Sequence, residues 1–373
     1  MKLRRERWGA WAKLDDPPAL VRLTILQLQT LGHQPRADAP LRERPLEVHM
    51  AVTQRCPVSC SGCYTGATNN GLVPSFSDLS ARLDSLSSAG VFMVAFGGGE
   101  PLTRTDLDQC ARAAKERGIS PVLTTSGIGL SDEHLEALRQ FDQINVSYDG
   151  PGDTYRDVRG FDASAVAERA IARLSNAGIR VGINLVLTRA SFRVALATSL
   201  RAIDLGASEV QLLRYKPAGR ARSLDYYAKR LSTEQTTAVG RLVRELCIAV
   251  RPKDASVRID CALVPFLVHG SHVSTDELAT WGIFGCEAAR HLESLDIHGL
   301  RAGCSFLPSS NAGADTYGSA VREVDEWSSV PTEDPCLSCH ARDVCRGGCK
   351  AVSLFVTNVV GPDPECPRVR ALA

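Results

Sequence analysis

The chain has 373 residues, enough for a large core and more than one folding unit. Its 43 Lys and Arg stand against 42 Asp and Glu, a net charge of +1, so no field draws it to phosphate backbones and nucleic acid is excluded as an expected partner. No apolar run is long enough to cross a bilayer, and the basic start Met1 to Arg7 meets Asp15-Asp16-Pro17-Pro18 before an export signal would form, so a soluble, cytoplasmic protein without membrane contact is expected.

In chain order, residues 1–45 hold Trp8, Trp11, the Asp-Asp-Pro-Pro turn and the apolar stretch Ala19 to Leu31. They are too short for a separate leader-binding module and read as a small element packed on a larger barrel domain. The first strand, Leu46 to Val52, runs into the loop CPVSCSGC with Cys56, Cys60 and Cys63. Strands are then expected at Phe92 to Phe96, Pro121 to Thr124, Ile144 to Tyr148, Val181 to Leu187 and Glu209 to Arg214. Between them lie helical stretches at Phe76 to Ser88, Thr105 to Arg117, Asp132 to Gln140, Ala163 to Ala177 and Ala195 to Leu205, several ending at glycine. This alternation predicts an α/β fold, a partial barrel of six strand and helix units over residues 46–235. A helix from Glu234 to Val250 opens a bridge over 236–280, where the alternation is expected to stop. Residues 281–373 are turn-rich and hold most of the cysteines, which marks a second domain.

Barrels of this kind bind ligands at the C-terminal ends of their strands. Those ends carry Gly97 to Pro101, Thr124 to Gly127 with Ser126, Ser147 to Gly150 with Asp149, Asn184 within the fifth strand, and Tyr215 to Gly219 after the sixth. Asp149, Arg159, Arg214, Tyr215 and Lys216 would face the cavity, although charged residues at strand ends are often only paired. Three thiolates in one tight loop suit an iron–sulfur cluster with one iron left free, the bland alternative being a zinc knuckle short of a fourth ligand. With no export signal, thirteen cysteines favour metal ligation over disulfides.

The loop CxxxCxxC, followed by Tyr64 and then by Gly98-Gly99-Glu100-Pro101 after the next strand, resembles the radical S-adenosylmethionine (SAM) superfamily. The resemblance implies that Cys56, Cys60 and Cys63 hold a four-iron four-sulfur cluster whose fourth iron binds the amino and carboxylate groups of SAM. It further implies SAM contacts from Gly98, Gly99, Glu100 and Pro101 near the methionine amino group, and from Ser147 and Asp149 near the ribose. Tyr215 would lie near the adenine, with Ser126, Arg159 and Asn184 in the same site. One departure stands out. The family usually has an aromatic residue just before the third cysteine, whereas Gly62 stands here; its backbone can approach the adenine, a stacking ring is lost, and Tyr64 is the replacement to consider.

Twelve residues separate Cys286 from Gly299 and four separate Gly299 from Cys304, after which Cys336, Cys339, Cys345 and Cys349 form CxxCxxxxxCxxxC ahead of Cys366. This spacing resembles the SPASM extension, which carries two auxiliary iron–sulfur clusters, with Ser294 to Leu300 as its small hairpin. By that resemblance Cys336, Cys339, Cys345 and Cys366 hold an outer cluster and Cys286, Cys304 and Cys349 an inner one. The inner set lacks a fourth protein ligand, and Cys261 is the nearest upstream candidate; otherwise that iron is open. A zinc ribbon over Cys336 to Cys349 is the alternative. Cys110 and Cys247 fall in amphipathic helices and read as core residues.

Three clusters and SAM together imply an oxidation, in which an adenosyl radical takes a hydrogen atom and the auxiliary clusters carry off an electron. The leading reading is an oxidoreductase that modifies a side chain of a ribosomally made peptide by crosslink, thioether formation, decarboxylation or a similar oxidation, reduced by a flavodoxin or ferredoxin. Sulfatase maturation is disfavoured, because those maturases carry an aspartate after the cysteine matching Cys304 and this chain has Ser305. Oxidation of a small biosynthetic intermediate and a non-catalytic redox scaffold are the alternatives. No residue is singled out as proton acceptor.

Overall fold

The structure, a computed structural model, describes residues 1–15, 18–39, 44–223, 225–309 and 330–371. Asp16 and Pro17 of the expected turn, and residues 310–329 of the cysteine-rich region, lie outside the described residues.

Three strands, β1 (Lys2–Glu6), β2 (Gly9–Asp15) and β3 (Pro18–Thr24), form an antiparallel sheet, and a short helix α1 (Ile25–Thr30) comes next. Strand β4 (Glu47–Thr53) then begins the main sheet. Its alternation sends Val48, Met50 and Val52 into the core shared with Leu79, Leu83 and Leu86 of helix α2 (Phe76–Ser88), and leaves half-buried Glu47 and His49 on the opposite face, in the lumen. The units continue with β5 (Met93–Gly98), α3 (Leu107–Glu116), β6 (Ser120–Thr125), α4 (Asp132–Leu138), β7 (Gln143–Ser147), α5 (Gly152–Arg159), α6 (Ser164–Asn176), β8 (Val181–Leu187), α7 (Ser191–Asp204) and β9 (Glu209–Arg214). Capping boxes start α2 at Ser75 and α4 at Ser131, which fixes where the chain turns back after a strand.

The main sheet has the order β10-β9-β8-β7-β6-β5-β4-β11-β12 and is parallel except for the last pair. Two of its members correct the sequence reading. After α8 (Asp225–Lys229) and α9 (Thr233–Val250) the alternation does not stop: β10 (Ser256–Ile259) joins β9 in parallel as a further barrel strand. It is short, with two residues exposed and two half-buried, so it carries no apolar run to announce it. At the other edge, β11 (Leu292–Leu295) pairs in parallel with β4 and forms the expected hairpin with β12 (Arg301–Ala302), the turn carrying Gly299 at φ +80°. Arg82 of α2 donates to the carbonyls of Asp296 and Ile297 and holds that turn against the barrel. Helix α5, which carries Arg159, was not expected. Cys110 is buried as expected, but Cys247 lies on the exposed face of α9 beside Ile248, so it is not a core residue.

The N-terminal sheet covers the end of the barrel where the strands begin. Arg4, almost fully buried, donates to the carbonyls of Pro45, Gly90 and Arg44, and Lys2 reaches Gly118. Trp11 packs edge-on to His291 at 5.0 Å. That leaves the opposite end, where the strands finish, for chemistry.

Candidate active site and metal centres

The CPVSCSGC loop is gripped from several strand ends. Cys56 N–H donates to Thr68 O (2.8 Å) and Ser61 N–H to Arg159 O (3.0 Å). From the turn after β9, Arg220 N–H donates to Cys63 O while its guanidinium donates to Cys60 O and Ala67 O, each at 2.8 Å. Gly219 makes this clasp possible: at φ +54° its Cα lies so near that a Cβ would come within 2.4 Å of Cys63 O. Burial pushes the Cys56 and Cys60 thiols up. At Cys63 burial is outweighed by the Thr65 hydroxyl, the Ala67 and Thr65 amides and the Arg220 charge, which hold that thiol below its ordinary value. Arg220 and Thr65 were missed in the sequence, because neither is part of a spaced motif.

At the end of β5, Gly98 and Gly99 lie against β4: a Cβ on either would fall 2.3 Å from Thr53 O or 2.1 Å from Arg55 O. Glu100 is buried, and its carboxylate accepts from Leu102 N–H, Thr125 Oγ1, Ser126 N–H and Ser126 Oγ at 2.5 to 3.1 Å. Its side chain therefore ties β5 to β6, and this strand end offers a ligand only backbone. Pro101 opens a 3-10 turn next to it. Asp149 is likewise fully buried with both oxygens engaged, Oδ1 by Val186 N–H at 2.8 Å and Oδ2 by Arg159 Nε at 2.6 Å. Arg159 in turn reaches the Cys60 thiol. The pair buttresses the cysteine loop, and neither Asp149 oxygen faces open space. Ser147 is buried in β7 beside Asn184 of β8.

Three buried polar atoms at these strand ends have no hydrogen-bond partner: Asn184 Oδ1, Tyr215 Oη and Arg220 Nη2. Orphaned buried groups are costly, and their placement at one barrel mouth fits a polar ligand. Tyr215 also accounts for Gly62. A Cβ on Gly62 would lie 2.8 Å from Tyr215 Oη and 3.0 Å from its Cε2, so the Tyr215 ring occupies the space a residue-62 side chain would take. Tyr64 packs tilted against Phe306, with centroids 4.9 Å and ring planes 37° apart.

The C-terminal cysteines gather into two sets. Cys336, Cys339, Cys345 and Cys366 line one pocket, together with His269, Arg342 and Arg368. His269 Nε2 lies 3.2 Å from Cys339 Sγ. The other set joins Cys261 to the expected three: Cys261 hydrogen-bonds Cys286, pulling Cys286 down and pushing itself up, and Cys304 and Cys349 feel the same Cys286 charge. Lys216, buried and ion-paired with Asp260, stands beside this set, its ammonium 4.3 Å over the Phe306 ring. Buried Lys350 faces Cys286 and also Cys336 and Cys345, and its Nζ has no hydrogen-bond partner. Arg214 does not face the cavity as expected. It is buried against Asp363 (2.5 Å) and Glu365 (2.9 Å), pinning the C-terminal segment to β9. Among the described residues no group of three or more His, Cys, Asp or Glu side chains closes on a single point.

Residues 50–190 match the sequence profile of the radical SAM superfamily. The chain is 26% identical over 345 residues to the PqqA peptide cyclase of Rhodopseudomonas palustris, covering 86% of each. It is 26% identical over 342 residues to the mycofactocin maturase MftC of Mycolicibacterium smegmatis, covering 87% of this chain and 83% of that protein. In fold it is similar to Streptococcus suis SuiB bound to its precursor peptide SuiA, with TM-score 0.72, 16% identity and 98% of both chains covered. It is also similar in fold to anSMEcpe with bound AdoMet and a peptide, with TM-score 0.62, 16% identity and coverage of 86% and 92%.

Proposed function

We propose that this chain, whose residues 50–190 match the radical SAM superfamily, oxidatively modifies a side chain of a ribosomally made peptide. The observation that carries this reading is the Tyr64 to Phe306 contact, which brings the residue after Cys63 against the residue two positions after Cys304. A substrate beside this contact would meet a radical source on one side and an electron acceptor on the other. The similarity to a relative named PqqA peptide cyclase, and to one named mycofactocin maturase, supports a peptide as that substrate.

In this reading Cys56, Cys60 and Cys63 hold the SAM-binding cluster, Cys261, Cys286, Cys304 and Cys349 the inner auxiliary cluster, and Cys336, Cys339, Cys345 and Cys366 the outer one. When bound, these groups supply a 5'-deoxyadenosyl radical for hydrogen abstraction and acceptors for the electron released afterwards. The chain's own residues do the positioning. The Gly98 and Gly99 backbone, Asn184 and Tyr215 receive SAM. Glu100, held to Thr125 and Ser126, fixes the strand ends around it. Asp149 holds Arg159 against Cys60, and Arg220 clamps the loop. The proposed working setting is the cytoplasm, with a flavodoxin or ferredoxin as reductant.

The test is anaerobic incubation of reconstituted enzyme with SAM, dithionite and synthetic copies of short peptides encoded beside its gene, followed by mass spectrometry. Loss of a hydrogen pair or of carbon dioxide from one peptide, with matching 5'-deoxyadenosine, is expected. Steady deoxyadenosine release with every peptide unchanged would refute the peptide reading.

A further inference from the structure

Oxidation after hydrogen abstraction releases a proton as well as an electron, and Ser305, next to Cys304, is no base by itself. The lumen supplies one. His49 Nδ1 lies 2.9 Å from Ser305 Oγ, and His49 Nε2 lies 3.0 Å from Glu47 Oε1. Glu47 and His49 sit two residues apart on β4, so both point into the lumen, and their side chains keep 25% and 36% of their surface open to it. Ser305 follows Cys304, an inner thiol, and precedes Phe306, which packs against Tyr64 next to Cys63.

The direction of the hydrogen bonds is set by charge. Burial pushes the Glu47 carboxyl up, but His49 and Arg258 of β10 outweigh it and hold Glu47 ionised. A carboxylate only accepts, so His49 Nε2 carries the hydrogen, and in the neutral ring Nδ1 is then a free acceptor toward the Ser305 hydroxyl. The residues paired with His49 on the adjoining strands are Ala95 of β5 and Ser294 of β11, which bring no competing charge.

We propose that Ser305, His49 and Glu47 form the proton outlet of the oxidation. This rests on the oxidative reading above. With SAM and the clusters bound, the substrate would give up one hydrogen atom and one electron to them, and its proton would go to Ser305 Oγ. Ser305 passes its own hydrogen to His49 Nδ1 in the same movement, and Glu47 stabilises the imidazolium that results. The substrate leaves oxidised by two electrons, and the imidazolium later returns its proton to water through the lumen.

One test needs no substrate. Nitrogen NMR of the cluster-loaded protein labelled in histidine reads the His49 tautomer: hydrogen on Nε2 and a bonded lone pair on Nδ1 that frees up in Ser305→Ala is the expected result. Hydrogen on Nδ1 overturns the proposal. The second test uses the peptide that the wild-type enzyme converts. His49→Asn, which keeps a side-chain partner for Ser305 but accepts no proton, should lower the ratio of product to deoxyadenosine by about 100-fold, within the ~10² to 10⁴ range of general base catalysis. Imidazole should restore the ratio in His49→Ala, and Ser305→Asp should restore it in the His49→Asn background. A purely structural tie between β4 and the loop predicts no rescue by imidazole and an unchanged ratio in folded variants, and that pattern would sink the relay. If the wild-type protein converts no peptide, the functional reading fails while the tautomer measurement still decides the relay.

Discussion

The Tyr215 ring over Gly62 gives a quantitative prediction. Adding one methyl group as Gly62→Ala sets a carbon 2.8 Å from Tyr215 Oη, 3.0 Å from Cε2 and 3.3 Å from Cζ. The ring has little room to yield, being 4% exposed and stacked on Tyr226 at 6.0 Å. Overpacking of this kind costs about 1 to 3 kcal/mol. If the strain falls on the SAM-bound loop, SAM binding weakens by roughly 5- to 150-fold, at ~1.4 kcal/mol per factor of ten. Tyr215→Phe removes the nearest contact and also an unpartnered buried hydroxyl. That variant should therefore melt no lower than the wild type in the SAM-free state, yet bind SAM more weakly if Oη donates to the cofactor. The double variant should recover part of the Gly62→Ala loss, with a coupling of about 0.5 to 3 kcal/mol. Equilibrium dialysis of SAM against anaerobically reconstituted protein measures all four corners of this cycle. Strictly additive losses would show that the ring does not sit over residue 62 when SAM is bound.

Asp149→Asn leaves the buried Arg159 guanidinium without its counter-charge, a loss of about 3 to 5 kcal/mol, so a lower melting temperature and incomplete loading of the N-terminal cluster are expected by iron analysis. Cys261→Ser should lower iron and sulfide per chain, whereas Cys247→Ser, on the exposed face of α9, should leave both unchanged; equal loading in the two variants would remove Cys261 from the inner set. Lys350→Met should keep the iron but move the auxiliary centres to more negative potentials in a titration followed by electron paramagnetic resonance, because an unpartnered buried ammonium favours the reduced, more negative cluster. At Glu365 burial pushes the carboxyl up, but Arg214, Tyr226 and Arg230 outweigh it and hold the group below its ordinary 4.5. Its contribution is thus complete above about pH 4.5 and drains away as the pH falls through the lower folded value. Glu365→Gln should therefore be less stable at neutral pH, and its melting temperature should fall less steeply on the acid side than that of the wild type.

Much of the barrel was legible because its signals are local. Strands such as Val181–Leu187 and helices such as Phe76–Ser88 declare themselves by apolar period and by caps at their own ends. The cysteine sets were legible for a similar reason, since cluster ligands on short loops must keep fixed spacings. Strand β10 was not, because its alternation spans only four residues at a sheet edge, two exposed and two half-buried, too short a stretch to stand out. Nor was the engagement of Asp149 and Glu100, whose partners Val186, Arg159, Thr125 and Ser126 come from neighbouring strand ends and helices.

The sequence alone pointed to the fold class, to radical chemistry as the proposed activity and to the eleven thiols to watch. Only the tertiary structure brought Tyr215 over Gly62, Cys261 to Cys286, and His49 to Ser305 across 256 residues of chain. Those contacts depend on strand register and on which strands close the sheet's edges. Both are settled by the packing of the whole barrel, and no stretch of sequence short enough to read as a pattern contains them.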